Sequence, residues 1–238
     1  MNSNRNPGPF LRRFFIPEQK IEAIAKRSLE FLDLMPSSPG PVKIEKYCER
    51  RWKFTEDYRE LETGVLGQAA FTENGVVEIT VSSDLAEDTS RAGLVRSRST
   101  LAHEIGHGEL HAIAFAEKIR HDRVHKNIFD QCSETDAIKI ACRGRQIQGP
   151  RSDEWWEIQA NLFMVAVLLP KHLLRQVVED WMPQKRDGSF RPPTYLLDEE
   201  IAEIFEVSRE MGRIAGDKMR QLIVDERNQI EMLFGNMQ

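Results

Sequence analysis

Cysteine is scarce in this chain: three residues among 238, at Cys48, Cys132 and Cys142. An odd, widely spread set makes no disulfide framework, so the expected setting is reducing and cytoplasmic. Long apolar runs are missing as well. The longest, Leu162 to Leu169, falls far short of the roughly twenty residues of a membrane span and reads as the middle of a buried helix. Residues 1–17 contain Pro7, Pro9 and Arg12-Arg13 but too few apolar residues for the hydrophobic region of a secretion signal. They are expected to form a flexible tail. Positive charge is not in excess, and a net charge of −5 provides no general attraction to nucleic acid or anionic membrane. Internal repeats and low-complexity tracts are absent, which removes repeat architectures from consideration.

What is present is a 40% hydrophobic content, enough to bury the core of one domain of ordinary size plus an appendage. Ile21, Ile24, Ala25, Leu29, Phe31 and Leu32 are spaced for an amphipathic helix over 18–34. The prolines at 36, 39 and 41 break it, and a short helix is expected over 42–50. Three extended stretches follow, Trp52–Thr55, Gly64–Thr72 and Val76–Ser82, the last two joined across Glu73-Asn74-Gly75. Asn-Gly favours a tight hairpin turn, so a small antiparallel sheet is predicted here.

After the sheet comes Thr100-Leu-Ala-His103-Glu104-Ile-Gly-His107. On a helix, residues four apart lie one turn apart on one face, so both imidazoles can address one ion. Glu104 is offset from that line, where a carboxylate reaches a water on the metal without ligating. Two ligands and a general base in five residues is the arrangement of a zinc hydrolase. The helix is predicted to run to about Ala114, with Leu94, Leu101, Ile105, Gly108 and Ala112 as an apolar stripe opposite the histidines. His111 continues the histidine line but lies about 12 Å of helix rise from His103, too far for all three to share one metal. It reads as structural, or as orienting a ligand from behind, rather than catalytic. Position 113 is Ile, which excludes the metzincin spacing.

A third ligand must come from elsewhere. Ser152-Asp153-Glu154 resembles a capped, acid-rich helix start, followed by Trp155-Trp-Glu157-Ile-Gln-Ala160-Asn161 and apolar sequence to Pro170. A carboxylate at the head of a buried helix requires a reason. Glu157, Asn161, Met164 and Leu168 share a face, with small Ala160 beside it permitting close approach of another helix. Glu157 as a metal-bound carboxylate would account for the placement, with Asn161 one turn on as a second candidate to orient a histidine. An ion pair with an arginine near the helix start would account for it too, and Glu154 is the alternative ligand.

Together, Arg98-x-Thr100-Leu-Ala-His-Glu-Ile-Gly-His-x-x-Leu-His111 and Glu157-x-Gln-Ala-Asn161-x-Phe-x-x-x-Leu-Leu-Pro170 resemble the ImmA/IrrE-type metallo-endopeptidases over roughly residues 18–182. The resemblance implies an α+β, zincin-like metallopeptidase domain, with the small antiparallel sheet packed on helices. It also implies one catalytic Zn2+ held by His103, His107 and Glu157, and Glu104 as general base. Its typical substrates are helix-turn-helix transcriptional repressors, cleaved to trigger a mobile-element or stress response. Two departures are a long stretch from His111 to Glu157, and Leu162-Phe-Met-Val165 where many relatives carry Phe-Ala. The oxyanion-stabilising group is left open among His111, Tyr58, Arg96 and Arg98.

Residues 114–150 read as a polar, partly helical insertion near the cleft. His121, His125, Cys132 and Cys142 would allow a second zinc, although C-x9-C lacks the usual tight cysteine pair. Beyond the loop at 183–188, residues 183–238 are expected to form a C-terminal helical subdomain. Its two amphipathic helices, the first filled by Ile201, Ile204 and Phe205 and the second by Met211, Ile214, Ala215 and Leu222, meet at Val207-Ser208 like a helix-turn-helix, with Ser208 as cap. Seven acids against four bases from Asp198 to Arg220 argue against direct nucleic-acid binding. A protein substrate is the expected partner. The rival reading is a non-proteolytic regulator acting through protein or DNA binding by these helices.

Overall fold

The computed structural model describes residues 8–125, 138–143, 154–182 and 194–234. It divides into two compact units, one of residues 1–34 and 43–167 and one of residues 35–42 and 168–238. Among the described residues no single helix is long and apolar enough to cross a membrane.

The first unit opens with helix α1 (Glu18–Phe31), which buries Ile21, Ala25, Leu29 and, just beyond its end, Leu32. Phe31 falls outside that stripe and is 80% exposed. Helix α2 (Tyr47–Trp52) ends at Lys53, whose left-handed φ of 64° turns the chain. The strand expected at Trp52–Thr55 therefore lies further on. Strands β1 (Asp57–Arg59), β2 (Val65–Thr72) and β3 (Gly75–Ser82) follow, and β4 (Ile138–Arg143) completes a sheet of order β1-β3-β2-β4. β3, β2 and β4 are antiparallel, whereas β1 pairs with β3 in parallel. Glu73-Asn74 form the hairpin tip, and Gly75 takes φ 114°, a region that side chains avoid.

After the short helix α3 (Ser83–Glu87), helix α4 runs from Arg91 to His125 and packs on β2 and β3. It extends eleven residues past the predicted end. The stretch 114–150 thus supplies the last turns of α4 and the edge strand β4, with the rest of it outside the described residues. Alternate residues of β2 turn to α4: Gly67 meets Thr100 and Glu104, and Phe71 stacks on Phe115 with ring centroids 4.4 Å apart. The amphipathic stripe predicted for α4 is not how the helix is used. Leu94 is 55% exposed, while 99–108 is buried on every side, because α4 is enclosed rather than laid on a surface.

Helix α5 (Trp155–Leu168) crosses α4 closely at Gly106. A Cβ there would stand 3.0 Å from the Ala160 carbonyl oxygen and 3.2 Å from both Ala160 Cα and Phe163 Cβ. The small residues at 106 and 160 let the two backbones approach. Gly106→Val is accordingly expected to lower stability by about 1–3 kcal/mol through overpacking, read as a shifted denaturant midpoint at unchanged m-value. An unchanged midpoint would show that the crossing tolerates the bulk.

Of the segment expected to be a tail, residues 8–17 are described, and Phe10 is only 3% exposed. Its ring packs on those of Phe115 and Trp155, at 4.5 and 4.9 Å between centroids. The second unit holds α6 (Lys171–Trp181), α7 (Thr194–Ile204) and α8 (Arg209–Phe234). Ser208 caps α8, its Oγ accepting from the Met211 N–H at 3.1 Å. The buried face of α8 is Gly212, Ala215, Gly216, Met219 and Ile223, so Ile214, expected in the core, is 55% exposed. Glycine carries little hydropathy, and a reading based on large side chains rotates the helix.

Candidate metal centre

His103 and His107 occupy successive turns of α4, and Glu157 lies in the first turn of α5, all three at most 1% exposed. His103 Nε2 is 3.0 Å from Glu157 Oε2 and 3.1 Å from His107 Nε2, and His107 Nε2 is 3.5 Å from Glu157 Oε1. These are the only three His, Cys, Asp or Glu side chains among the described residues that gather around one point in this way. Glu154, the other candidate ligand, precedes α5 and is not among them. Ser152 and Asp153, the expected helix cap, lie outside the described residues.

The polar atoms behind the histidines determine where their protons sit. His103 Nδ1 lies 3.0 Å from Asn161 Oδ1, an acceptor, so in the neutral ring the lone pair is on Nε2. His107 Nδ1 lies 3.0 Å from His111 Nδ1, and His111 Nε2 lies 3.1 Å from Gln159 Oε1. Burial pushes the pKa of His107 down and, with neighbouring His107, that of His111 down to about 3. The His111 ring is therefore neutral. Burial alone would push the Glu157 carboxyl up, but the imidazoles beside it prevail and hold it below the usual carboxylate range.

If both imidazoles present a bare Nε2, as ligation requires, they and the carboxylate repel one another at this buried point unless a cation sits among them. Tetrahedral zinc, with bonds of about 2.0–2.2 Å, sets its donor atoms about 3.3–3.6 Å apart. The His107–Glu157 separation of 3.5 Å falls in that range, and those of 3.0 and 3.1 Å lie within a few tenths of an ångström of it.

Glu104 is also fully buried, next in sequence to His103 and directed against β2. A Cβ at Gly67 would lie 2.6 Å from Thr100 Cγ2 and 3.2 Å from Glu104 Oε1. A methyl group at that register would collide with the Thr100 methyl and crowd the carboxylate. Gly67→Ala is expected to displace Glu104 while sparing the metal donors, lowering turnover but not zinc content. Equal loss of both would place Gly67 in general folding instead.

Other candidates are placed elsewhere. Both ring nitrogens of His111 are engaged, which leaves no N–H for a substrate oxyanion. Tyr58 is 43% exposed with its hydroxyl 3.3 Å from Glu56, Arg98 pairs with Glu45, and Arg96 is exposed. His121 and His125 pack with their rings tilted on an exposed stretch of α4, while Cys132 and the Cys142 side chain are outside the described residues. Gln159 joins the histidines through its amide, and the sequence signals it only as a glutamine in an apolar helix, which needs a partner.

No curated protein matches the sequence. The family profile described as the IrrE N-terminal-like domain, peptidase M78, matches residues 89–214, a span that takes in α4, α5 and all four residues of the centre. With more than half of its length matched, and with the buried His-His-Glu group that such a metallopeptidase requires, the chain belongs to the M78 peptidase family.

Proposed function

We propose that the protein is a zinc-dependent, site-specific endopeptidase of the cytoplasm that cleaves a helix-turn-helix transcriptional repressor and so triggers a mobile-element or stress response. The observation that carries the catalytic part is the convergence of His103, His107 and Glu157 on one buried point, one residue away from a buried glutamate. The repressor substrate and the response rest on the family resemblance.

In this reading His103, His107 and Glu157 hold the ion. Bound zinc supplies Lewis acidity, lowering the pKa of water and polarising a carbonyl. Glu104 accepts the proton of the attacking water and returns it to the leaving amine. Asn161 keeps His103 in the tautomer that presents Nε2. Burial of all four groups excludes bulk water and strengthens each charge interaction.

The test is incubation of the full chain with a helix-turn-helix repressor encoded beside it. One discrete product is expected, lost on adding a chelator and restored by zinc. Chelator-insensitive cleavage, or none from a zinc-loaded protein across such repressors, would count against the reading.

A further inference from the structure

The geometry points to Gln159 and His111 as positioning residues that select the proton position of His107, anchored by the backbone of residues 8–17. This rests on His107 being a metal ligand, as proposed above. The Phe14 carbonyl, which can only accept, lies 3.3 Å from Gln159 Nε2, so the amide nitrogen faces Phe14 and the amide oxygen faces His111. His111 Nε2 must then carry its ring's single proton to donate across 3.1 Å. That leaves the His111 Nδ1 lone pair facing His107 Nδ1 at 3.0 Å, where His107 has to donate. With its Nδ1 protonated, His107 presents a bare Nε2 to the centre.

The reverse assignment is incompatible with ligation. Were the His111 proton on Nδ1, His107 Nδ1 would have to accept, its own proton would sit on Nε2, and the ligand position would be blocked. Two facing Nδ1 atoms do not choose between these states by themselves. Gln159 chooses, and the chain segment before α1 holds Gln159. That segment is not loosely attached: Phe10 and Phe14 lie 5.7 and 5.9 Å from the His111 ring, and Phe14 lies 4.6 Å from Trp155. His111 is fully buried and Gln159 only 4% exposed, so water does not substitute for either bond. His103 has its own partner in Asn161 and is independent of this chain of bonds.

The experiment uses the full-length protein stripped of metal, with Zn2+ alone titrated against a chromophoric chelator. Long-range 1H–15N spectra of the imidazoles are recorded in parallel. Wild type is expected to show His111 protonated on Nε2 and not on Nδ1. Gln159→Leu is expected to lose that preference and to weaken zinc binding by about 10- to 100-fold, the usual effect of removing a partner behind a ligand histidine. The proposal is overturned if wild-type His111 carries its proton on Nδ1, a result that does not depend on any variant folding. It is overturned equally if Gln159→Leu, with an unchanged circular dichroism spectrum, binds zinc as wild type does. His107→Ala separates the two levels of argument. Loss of zinc in that variant upholds the metal site whatever Gln159→Leu does, whereas undiminished binding removes the metal site itself.

Discussion

Glu104→Gln is expected to retain zinc and lose cleavage, by about 10²- to 10⁴-fold, the range that a positioned general base contributes. The substitution preserves shape, so the close approach to Gly67 and Thr100 is kept. An amide oxygen, however, cannot take the proton that a carboxylate takes from water. Because Glu104 is not one of the three converging donors, metal content and activity should separate. The measurements are zinc per chain by elemental analysis and the initial rate of product formation. This variant also decides between the peptidase and the regulator acting through α7 and α8. If the biological effect persists in Glu104→Gln with zinc bound, proteolysis is not how the protein works.

Glu157→Ala is expected to empty the centre. It removes the negative charge and one of three donors, leaving His103 and His107 with nitrogens 3.1 Å apart and nothing to hold an ion between them but themselves. The loss of zinc affinity should exceed the roughly 10- to 100-fold caused by removing a partner behind a ligand. Zinc content after desalting should fall from about one ion per chain, as a single three-ligand site would hold, to a small fraction of that. Glu154→Ala is the control and should keep its metal. Undiminished zinc in Glu157→Ala, or loss in Glu154→Ala, would transfer the third donor to Glu154.

Local rules were most informative where a pattern is closed within one element. The four-residue spacing of His103 and His107 placed both imidazoles on one face of a helix, as α4 shows. The Glu73-Asn74-Gly75 stretch placed the β2–β3 hairpin, and Ser208 placed the start of α8. Such rules failed where an element's surroundings mattered more than its period. Leu94 and Ile214 lie exposed although periodicity assigned them inward, and Gly106, Gly212 and Gly216 form contact surfaces that hydropathy does not register. Phe10 belonged to a stretch whose prolines and arginines suggested a tail, yet it is buried against Phe115, Trp155 and Trp156.

The chemistry followed the same division. Residue types and spacing were enough to specify a pair of imidazoles with an adjacent carboxylate, since those atoms are tied to one another by a single turn of helix. Folding decided which acid joins them, because Glu157 comes from 54 residues beyond His103 and arrives only through the close crossing of α4 and α5. It also decided which nitrogen of His107 is bare. That depends on an amide in α5 and a carbonyl before α1, 145 residues apart in sequence, and a proton's position is set by what lies at hydrogen-bond distance, not by what lies next in the chain.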